Sequence, residues 1–159
     1  MRAALTYLLV GVALCAPSPA AERRSWNKIR YVGGTVPIKT SPYDYNTKLT
    51  VSANPDSIVI SIAPAKLFSQ EQTVRLKPSQ VVSLSSGPAA WRRVAEVPGA
   101  QVPPRPPSLF GFMQDHALVG IVFDNDSGKR EAILLETVYG WQFLPALGKL
   151  TGKDIEVAK

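Results

Sequence analysis

The sequence predicts a mainly β (α+β) fold, a small antiparallel barrel or sandwich capped by a C-terminal amphipathic helix. Short apolar segments alternate with polar residues along much of the chain, turn-forming residues separate these segments, and a helical stripe of apolar residues follows them. The chain has 159 residues, of which 45% are hydrophobic and 19% are charged. This length and composition are typical of one globular domain with a packed core.

The first segment, residues 1–20, has the pattern of a secretory signal peptide. Arg2 supplies a positive charge, and an uncharged stretch over 3–16 follows it. That stretch is shorter than the about 20 residues that a membrane-spanning helix needs. Small residues at Ser18 and Ala20 predict cleavage after Ala20. We therefore expect an exported protein, periplasmic or secreted, with an uncleaved N-terminal anchor as the alternative.

Cys15 is the single cysteine of the chain and lies inside the predicted signal. A lipid-modified cysteine follows a small residue, whereas Leu14 is bulky, so lipoprotein processing is disfavoured. Cleavage after Ala20 would leave a chain without cysteine in an oxidising compartment, where its stability depends on core packing instead of disulfides. The chain has 18 basic and 12 acidic side chains, a net charge of +6, which suits weak attraction to anionic surfaces.

Residues 21–47 are predicted to form an N-terminal arm and an edge hairpin. The segment 21–28 is polar, and an alternating strand over 29–32 ends at Gly33-Gly34, a typical turn signal. The returning segment contains Pro37, which cannot donate to a central strand and therefore indicates a sheet edge.

Residues 48–157 are predicted to form a β-rich domain. Leu49 and Val51 alternate with polar residues, and Ile58, Ile60 and Ile62 fall on one face of the next segment, so the pair predicts a hairpin with one buried face. Two further short strands are expected near 74–77 and 81–84, followed by a short helix over 89–97. A Pro-rich loop of polyproline II character follows at about 98–107.

The last third of the chain predicts a second hairpin and the closing helix. Apolar runs over 118–123 and 129–136 flank Asp124–Gly128, which we interpret as a turn because Asp, Asn and Gly tolerate positive φ. A helix is expected over about 139–151, with Pro145 inside it. Its predicted buried stripe has a spacing of three and consists of Trp141, Leu144, Leu147 and Leu150.

Two resemblances accompany this pattern. The order of strands and closing helix resembles the pleckstrin-homology-like superfold, in which a C-terminal helix plugs two near-orthogonal sheets, often with a core-facing Trp; Trp141 is the matching residue. The segments Trp26–Tyr31, Gly33–Thr35, Leu76–Pro78 and Arg92–Val94 look like an uncharacterised exported bacterial protein family. That family implies export but no activity, and its stretch matching 96–113 is apolar where this chain is Pro-rich.

Few residues suited to catalysis or metal binding are present. The chain contains one histidine, His116, so zinc sites and a Ser-His-Asp triad have little support, and no cofactor or metal is expected. The alternative of a small envelope hydrolase needs two paired carboxylates, and their spacing selects no pair. The carboxylates available for it are Asp44, Glu71, Asp115 and Glu131.

These observations predict an exported, non-catalytic binding or scaffold module of the bacterial envelope, with an unknown envelope protein or polymer as partner. Basic residues occur as isolated pairs without aromatic neighbours, so no nucleic acid is expected. A membrane-peripheral module is a further alternative, because the chain is basic and the segment 108–113 is apolar. The candidate binding residues are Tyr43 and Tyr45, two aromatics in a turn.

Overall fold

The computed structural model of the chain describes residues 23–41, 44–53, 55–65, 70–104, 117–138 and 140–157. The predicted signal, Tyr43, Asp115, His116, the apolar segment 108–113 and the last part of the Pro-rich loop lie outside the described residues.

The described residues form one eight-stranded sheet, two α-helices and a short 3-10 helix, so the expectation of a mainly β fold is confirmed. The strand order is β4-β3-β2-β1-β7-β6-β5-β8. The strands are β1 (Arg23–Gly34), β2 (Thr47–Ala53), β3 (Asp56–Ile62), β4 (Gln72–Leu76), β5 (Val81–Ser86), β6 (Ala117–Asp124), β7 (Arg130–Thr137) and β8 (Ile155–Val157). The helices are α1 (Pro88–Ala95) and α2 (Gly140–Thr151), and the 3-10 helix spans Pro78–Gln80.

The expected fold was an antiparallel barrel or sandwich, whereas the described strands form one mixed sheet that is not closed. The 3-10 helix leads the chain from β4 to β5 without pairing the two strands. The free edge of β5 pairs instead with β8, which runs parallel to it from Leu84↔Ile155 to Ser86↔Val157. Since β8 occupies the position that β4 would need, β4 and β8 remain the two edges of the described sheet.

Apolar side chains cover both faces of the sheet. One face packs against α2, and its buried cluster includes Leu49, Ile60, Ile121 and Phe143. The other face packs against α1 and the segment after it. The sequence of β6 and β7 reflects this two-sided burial, because consecutive residues of both strands are apolar instead of alternating. The cluster on the α1 face consists of Ala90, Val94, Val97, Leu118, Val122, Ala132 and Leu134.

Both predicted hairpins are present. β2 pairs with β3 in register from Thr47↔Ile62 to Ala53↔Asp56, and Ile58, Ile60 and Ile62 are all 0% exposed, as the alternation predicts. β6 and β7 form the second hairpin. In its turn, the Asn125 side-chain oxygen accepts hydrogen bonds from the backbone amides of Ser127 (3.0 Å) and Lys129 (2.9 Å), and Gly128 has a φ of +77°.

The N-terminal arm and edge hairpin do not match the structure. Residues 23–34 form one long strand, β1, in the interior of the sheet between β2 and β7. Gly33-Gly34 is not a turn. A Cβ on Gly33 would lie 2.2 Å from the Gln101 carbonyl oxygen, because the chain after α1 crosses the sheet there and Gly34 and Gln101 exchange two backbone hydrogen bonds. These glycines permit close approach, which produces the same sequence signal as a turn.

Helix α2 lies close to the predicted range, but it is followed by β8 and packs on the face of an open sheet. Leu144 and Leu147 are buried as expected, and Leu150 is half-buried. Trp141 is 71% exposed, so its predicted core position is wrong, and Phe143 takes that place at 0%. At about 100° per residue, Trp141 lies about 120° from the centre of the buried face, outside the reach of the sheet.

The two α-helices are short. α1 has 8 residues and α2 has 12. Among the residues that the structure describes, no helix combines the length and the apolar character needed to cross a bilayer.

Candidate functional site

The sequence-predicted pair of tyrosines is only half described. Tyr45 is 49% exposed in the loop before β2, and Tyr43 lies outside the described residues. Tyr45 does not line the depressions that follow. The structure therefore directs attention to a different surface, which sequence reasoning missed.

This surface is an open groove between the first half of β1 and the outward side of α2, here called the α2 groove. The groove has two parts. The second part lies beside Ala146 and Lys149 of the helix and reaches the adjoining ends of β2 and β3, where Val51 and Asp56 line it. Arg24 lines both parts. The first part is lined by Arg24, Ser25, Trp26, Trp141, Gln142 and Pro145.

The groove exists because β1 extends beyond the end of β7. The register between these strands begins at Ile29↔Thr137, whereas the register of β1 with β2 continues to Arg23↔Ser52. Thr137 ends β7, and the chain enters α2 at Gly140. Arg24, Ser25 and Trp26 therefore have β2 on one side and line the groove on the other.

Two tryptophans give the groove its apolar character. Trp26 is half-buried and lies against Phe143 of α2, with ring centroids 5.8 Å apart. Trp141 is exposed on the same helix and lines the groove together with Trp26. A tryptophan offers a large apolar face and one N–H donor, a combination that is enriched at binding interfaces.

A polar group accompanies the exposed tryptophan. Pro145 lies four residues after Trp141 in the helix and has no amide hydrogen. The Trp141 carbonyl therefore lacks its usual α-helical donor. Gln142 and Ser25 also line this part of the groove. The groove thus combines aromatic faces with groups that can exchange hydrogen bonds.

Cationic side chains outnumber carboxylates along the groove. Arg24 and Lys149 line it, and Asp56 is the acidic residue among its lining residues. Arg23 and Lys28 are exposed on the same part of β1. The potential of this surface favours an anionic ligand over a cationic one.

The second charged surface of interest lies between α1 and β8. Arg93 donates to both carboxylate oxygens of Glu156, at 2.7 and 3.2 Å, and to Glu96 at 3.2 Å. The hydrogen bonds from Arg93 hold the pKa of Glu156 below its usual value. A general acid needs the opposite shift, because it must keep its proton. The ion pair between Arg93 and Glu156 therefore anchors β8 beside α1.

Three of the carboxylates that the sequence offered for hydrolysis, Asp44, Glu71 and Glu131, are described by the structure, and none of them lines either surface. The fourth, Asp115, lies outside the described residues. Glu131 accepts a hydrogen bond from the Asn125 amide at 2.9 Å, which supports the β6–β7 turn. Asp44 and Glu71 are exposed. Within the described ranges, no group of three or more His, Cys, Asp or Glu side chains is placed to hold a metal ion.

A scan against protein-family models, a search of curated proteins and a search of solved structures found no match for this chain. The case for a function therefore depends on the geometry of the α2 groove.

Proposed function

We propose that this protein is an exported, non-catalytic binding module of the bacterial envelope and that the α2 groove is its binding surface. The observation that carries the proposal is the 71% exposure of Trp141 beside Trp26 in an open groove. The hydrophobic effect disfavours a large apolar ring in water, so this arrangement gains free energy when a ligand covers it. Covering one such side chain is worth roughly 2–3 kcal/mol.

We also propose that the fold is pleckstrin-homology-like. The order β4-β3-β2-β1-β7-β6-β5 supports this, because β1 serves two groups of strands and changes partner at Ile29. Irregularities in the register of β1 on both sides of Ile29 fit a strand that bends from one group to the other. The packing of α2 against the β2–β3 side and the β6 side of one continuous core fits the same architecture. The outward Trp141 and the added β8 are departures from it.

The binding proposal is favoured over the hydrolase because Glu96 and Glu156, the two carboxylates between α1 and β8, are both hydrogen-bonded to Arg93. Glu156 is stabilised in its charged form by Arg93. The α2 groove has an aromatic and cationic lining instead. An anionic membrane surface would also bind through the tryptophans and cationic side chains of the groove. The titration below compares vesicles with polymers to distinguish the two.

Tryptophan fluorescence tests the proposal directly. The purified protein is titrated with an acidic peptide, with an anionic polysaccharide and with vesicles of anionic phospholipid. We expect one class to shift the emission and to bind at least about tenfold more weakly to Trp141→Ala. Val157→Ala is the matched control, because Val157 is also an exposed apolar side chain (66%) but lies on β8. Equal affinity of Trp141→Ala and the wild type for every ligand that binds would overturn the proposal, as would an absence of binding.

A further inference from the structure

We infer that the α2 groove takes an extended acidic peptide, which adds as a strand to the first half of β1. This inference rests on the proposed function, because it names the ligand of the same groove. Three features support it: the register of β1, the way the chain covers the rest of that strand, and the charge of the residues that line the groove.

The open edge of β1 lies beyond the end of β7. Neighbouring strands lie about 4.8 Å apart, and β7 occupies that position beside β1 only from Ile29 onward. In the part of the chain that the structure describes, no strand occupies the corresponding position beside Ser25, Trp26 and Asn27. A peptide placed there would continue the line of β7 along β1, with α2 beside it.

The two halves of β1 differ in how the chain covers their unpaired sides. Beyond Ile29 the strand has lost β2 as a partner, and the chain covers this side itself. The Asn46 side-chain oxygen accepts a hydrogen bond from the Tyr31 amide at 3.0 Å, and the Thr40 hydroxyl donates to the Tyr31 carbonyl at 3.4 Å. At the first half, the side of β1 opposite β2 faces the groove instead. A strand segment that no described residue covers is a template for β-strand addition, in which main-chain hydrogen bonds provide affinity.

The third feature concerns specificity. Alternate side chains of an added strand point to one face of the sheet. On the α2 face they would meet Trp26 and Trp141, which suit an apolar or proline side chain. Arg24 lines both parts of the groove, and Lys149 lies further along α2. Arg23 and Lys28 lie at the two ends of the overhanging segment. A carboxylate-bearing peptide complements this charge, and a basic peptide is repelled.

A pair of methylated peptides tests strand addition. The probe is a fluorescent peptide of about six residues, the usual strand length, in which Glu alternates with Val. N-methylation of one set of alternate residues removes the amides that face β1, and N-methylation of the other set removes those that face away. We expect one methylated peptide to bind like the parent and the other to bind at least about tenfold more weakly. Equal binding of the two methylated peptides would overturn strand addition.

Amide hydrogen exchange locates the contact. Saturation with the parent peptide should slow exchange in the segment 24–26, which lines the groove. Protection confined to β4 or β8, the two edges of the described sheet, would place strand addition elsewhere and contradict the inference.

Charge variants test the acidic preference. Lys149→Glu should weaken binding of the acidic peptide severalfold, whereas Lys129→Glu, at the exposed β6–β7 turn, should leave it unchanged. Equal effects of both variants would overturn the charge argument. If a polysaccharide or vesicles bind in a Trp141-dependent manner and the acidic peptide does not, this inference fails while the proposed function stands. If no ligand depends on Trp141, both fail.

Discussion

The Trp26 ring on β1 lies 5.8 Å from the Phe143 ring on α2, with the two ring planes tilted by 55°. This tilted contact is a favourable geometry for two aromatic rings. It connects the overhanging half of β1 to α2. Phe143 is fully buried, whereas Trp141, two residues earlier, is exposed.

Truncation of Phe143 and of Trp141 should change the free energy of unfolding by very different amounts. Phe143→Ala should lower the free energy of unfolding by about 3–5 kcal/mol, because it leaves a cavity between α2 and the sheet. Trp141→Ala should change it by less than about 0.5 kcal/mol, since Trp141 is mostly exposed. Urea denaturation of both variants measures this difference. A large loss of stability in Trp141→Ala would make that residue structural.

The alternation in β3 predicts a similar contrast. Ile60→Ala should destabilise the protein by about 2–5 kcal/mol, because Ile60 is 0% exposed at the centre of the α2-facing core. Ser61 points to the other face of the sheet, so Ser61→Ala should lower the free energy of unfolding by less than about 0.5 kcal/mol. Chemical denaturation compares the two variants. Similar small losses would contradict the assignment of the buried face.

The close approach at Gly33 predicts a large cost for one methyl group. A Cβ there would meet the Gln101 backbone oxygen at 2.2 Å, and backbone hydrogen bonds hold that segment in place. Gly33→Ala should therefore lose more than about 3 kcal/mol. The control is Gly128→Ala, where φ is +77° but no atom lies within 4 Å; only backbone strain of about 1–2 kcal/mol is expected. Thermal unfolding should rank the variants in this order, and the reverse order would contradict it.

Tyr31 predicts a stability change at alkaline pH. Burial raises the pKa of this phenol from 10.0 to about 12, and its hydroxyl donates to the Val36 carbonyl at 3.1 Å. The folded state therefore favours the neutral phenol. Its contribution is complete below pH 10 and is lost as the pH rises through about 12, at up to about 1.4 kcal/mol per pH unit.

The variant Tyr31→Phe isolates this effect from other titrating groups. At neutral pH it should be less stable than the wild type by about 1 kcal/mol, because a hydrogen bond is missing. That deficit should shrink and then reverse between about pH 10 and 12, since only the wild type loses stability through this phenol, by up to about 1.4 kcal/mol per pH unit. Denaturation curves across the range provide the measurement, and a constant deficit would contradict the raised pKa.

The proposed export predicts a defined mature mass. Ser18 and Ala20 place small residues where signal peptidase requires them, so the processed protein should begin at Ala21. Intact-mass analysis of the protein from the producing cell measures the cleavage site. A lipid-bearing Cys15 at the N-terminus would show that Leu14 does not block lipoprotein processing.

Local periodicity was sufficient for the elements whose burial repeats along a short segment. The period of two at Ile58–Ile62 and the continuous apolar runs of β6 and β7 identify strands, because each residue's face is set by backbone geometry alone. The turn at Asn125–Gly128 was predictable for the same reason, since it depends on hydrogen bonds within five residues. The position of the helix near residue 140 and the burial of Leu144 and Leu147 were predictable, but the outward position of Trp141 was not.

The tertiary structure alone decided how these elements meet. The polar segment 21–28 predicts a loose arm, yet pairing with β2 makes residues 23–26 the first part of the long strand β1. Gly33-Gly34 predicts a turn, whereas a crossing segment near Gln101 requires the glycines. The α2 groove depends on β7 ending at Thr137 opposite Ile29, a register between residues distant in sequence. Periodicity within a segment determines its own burial, but its partners and the point where pairing stops are properties of the folded chain as a whole.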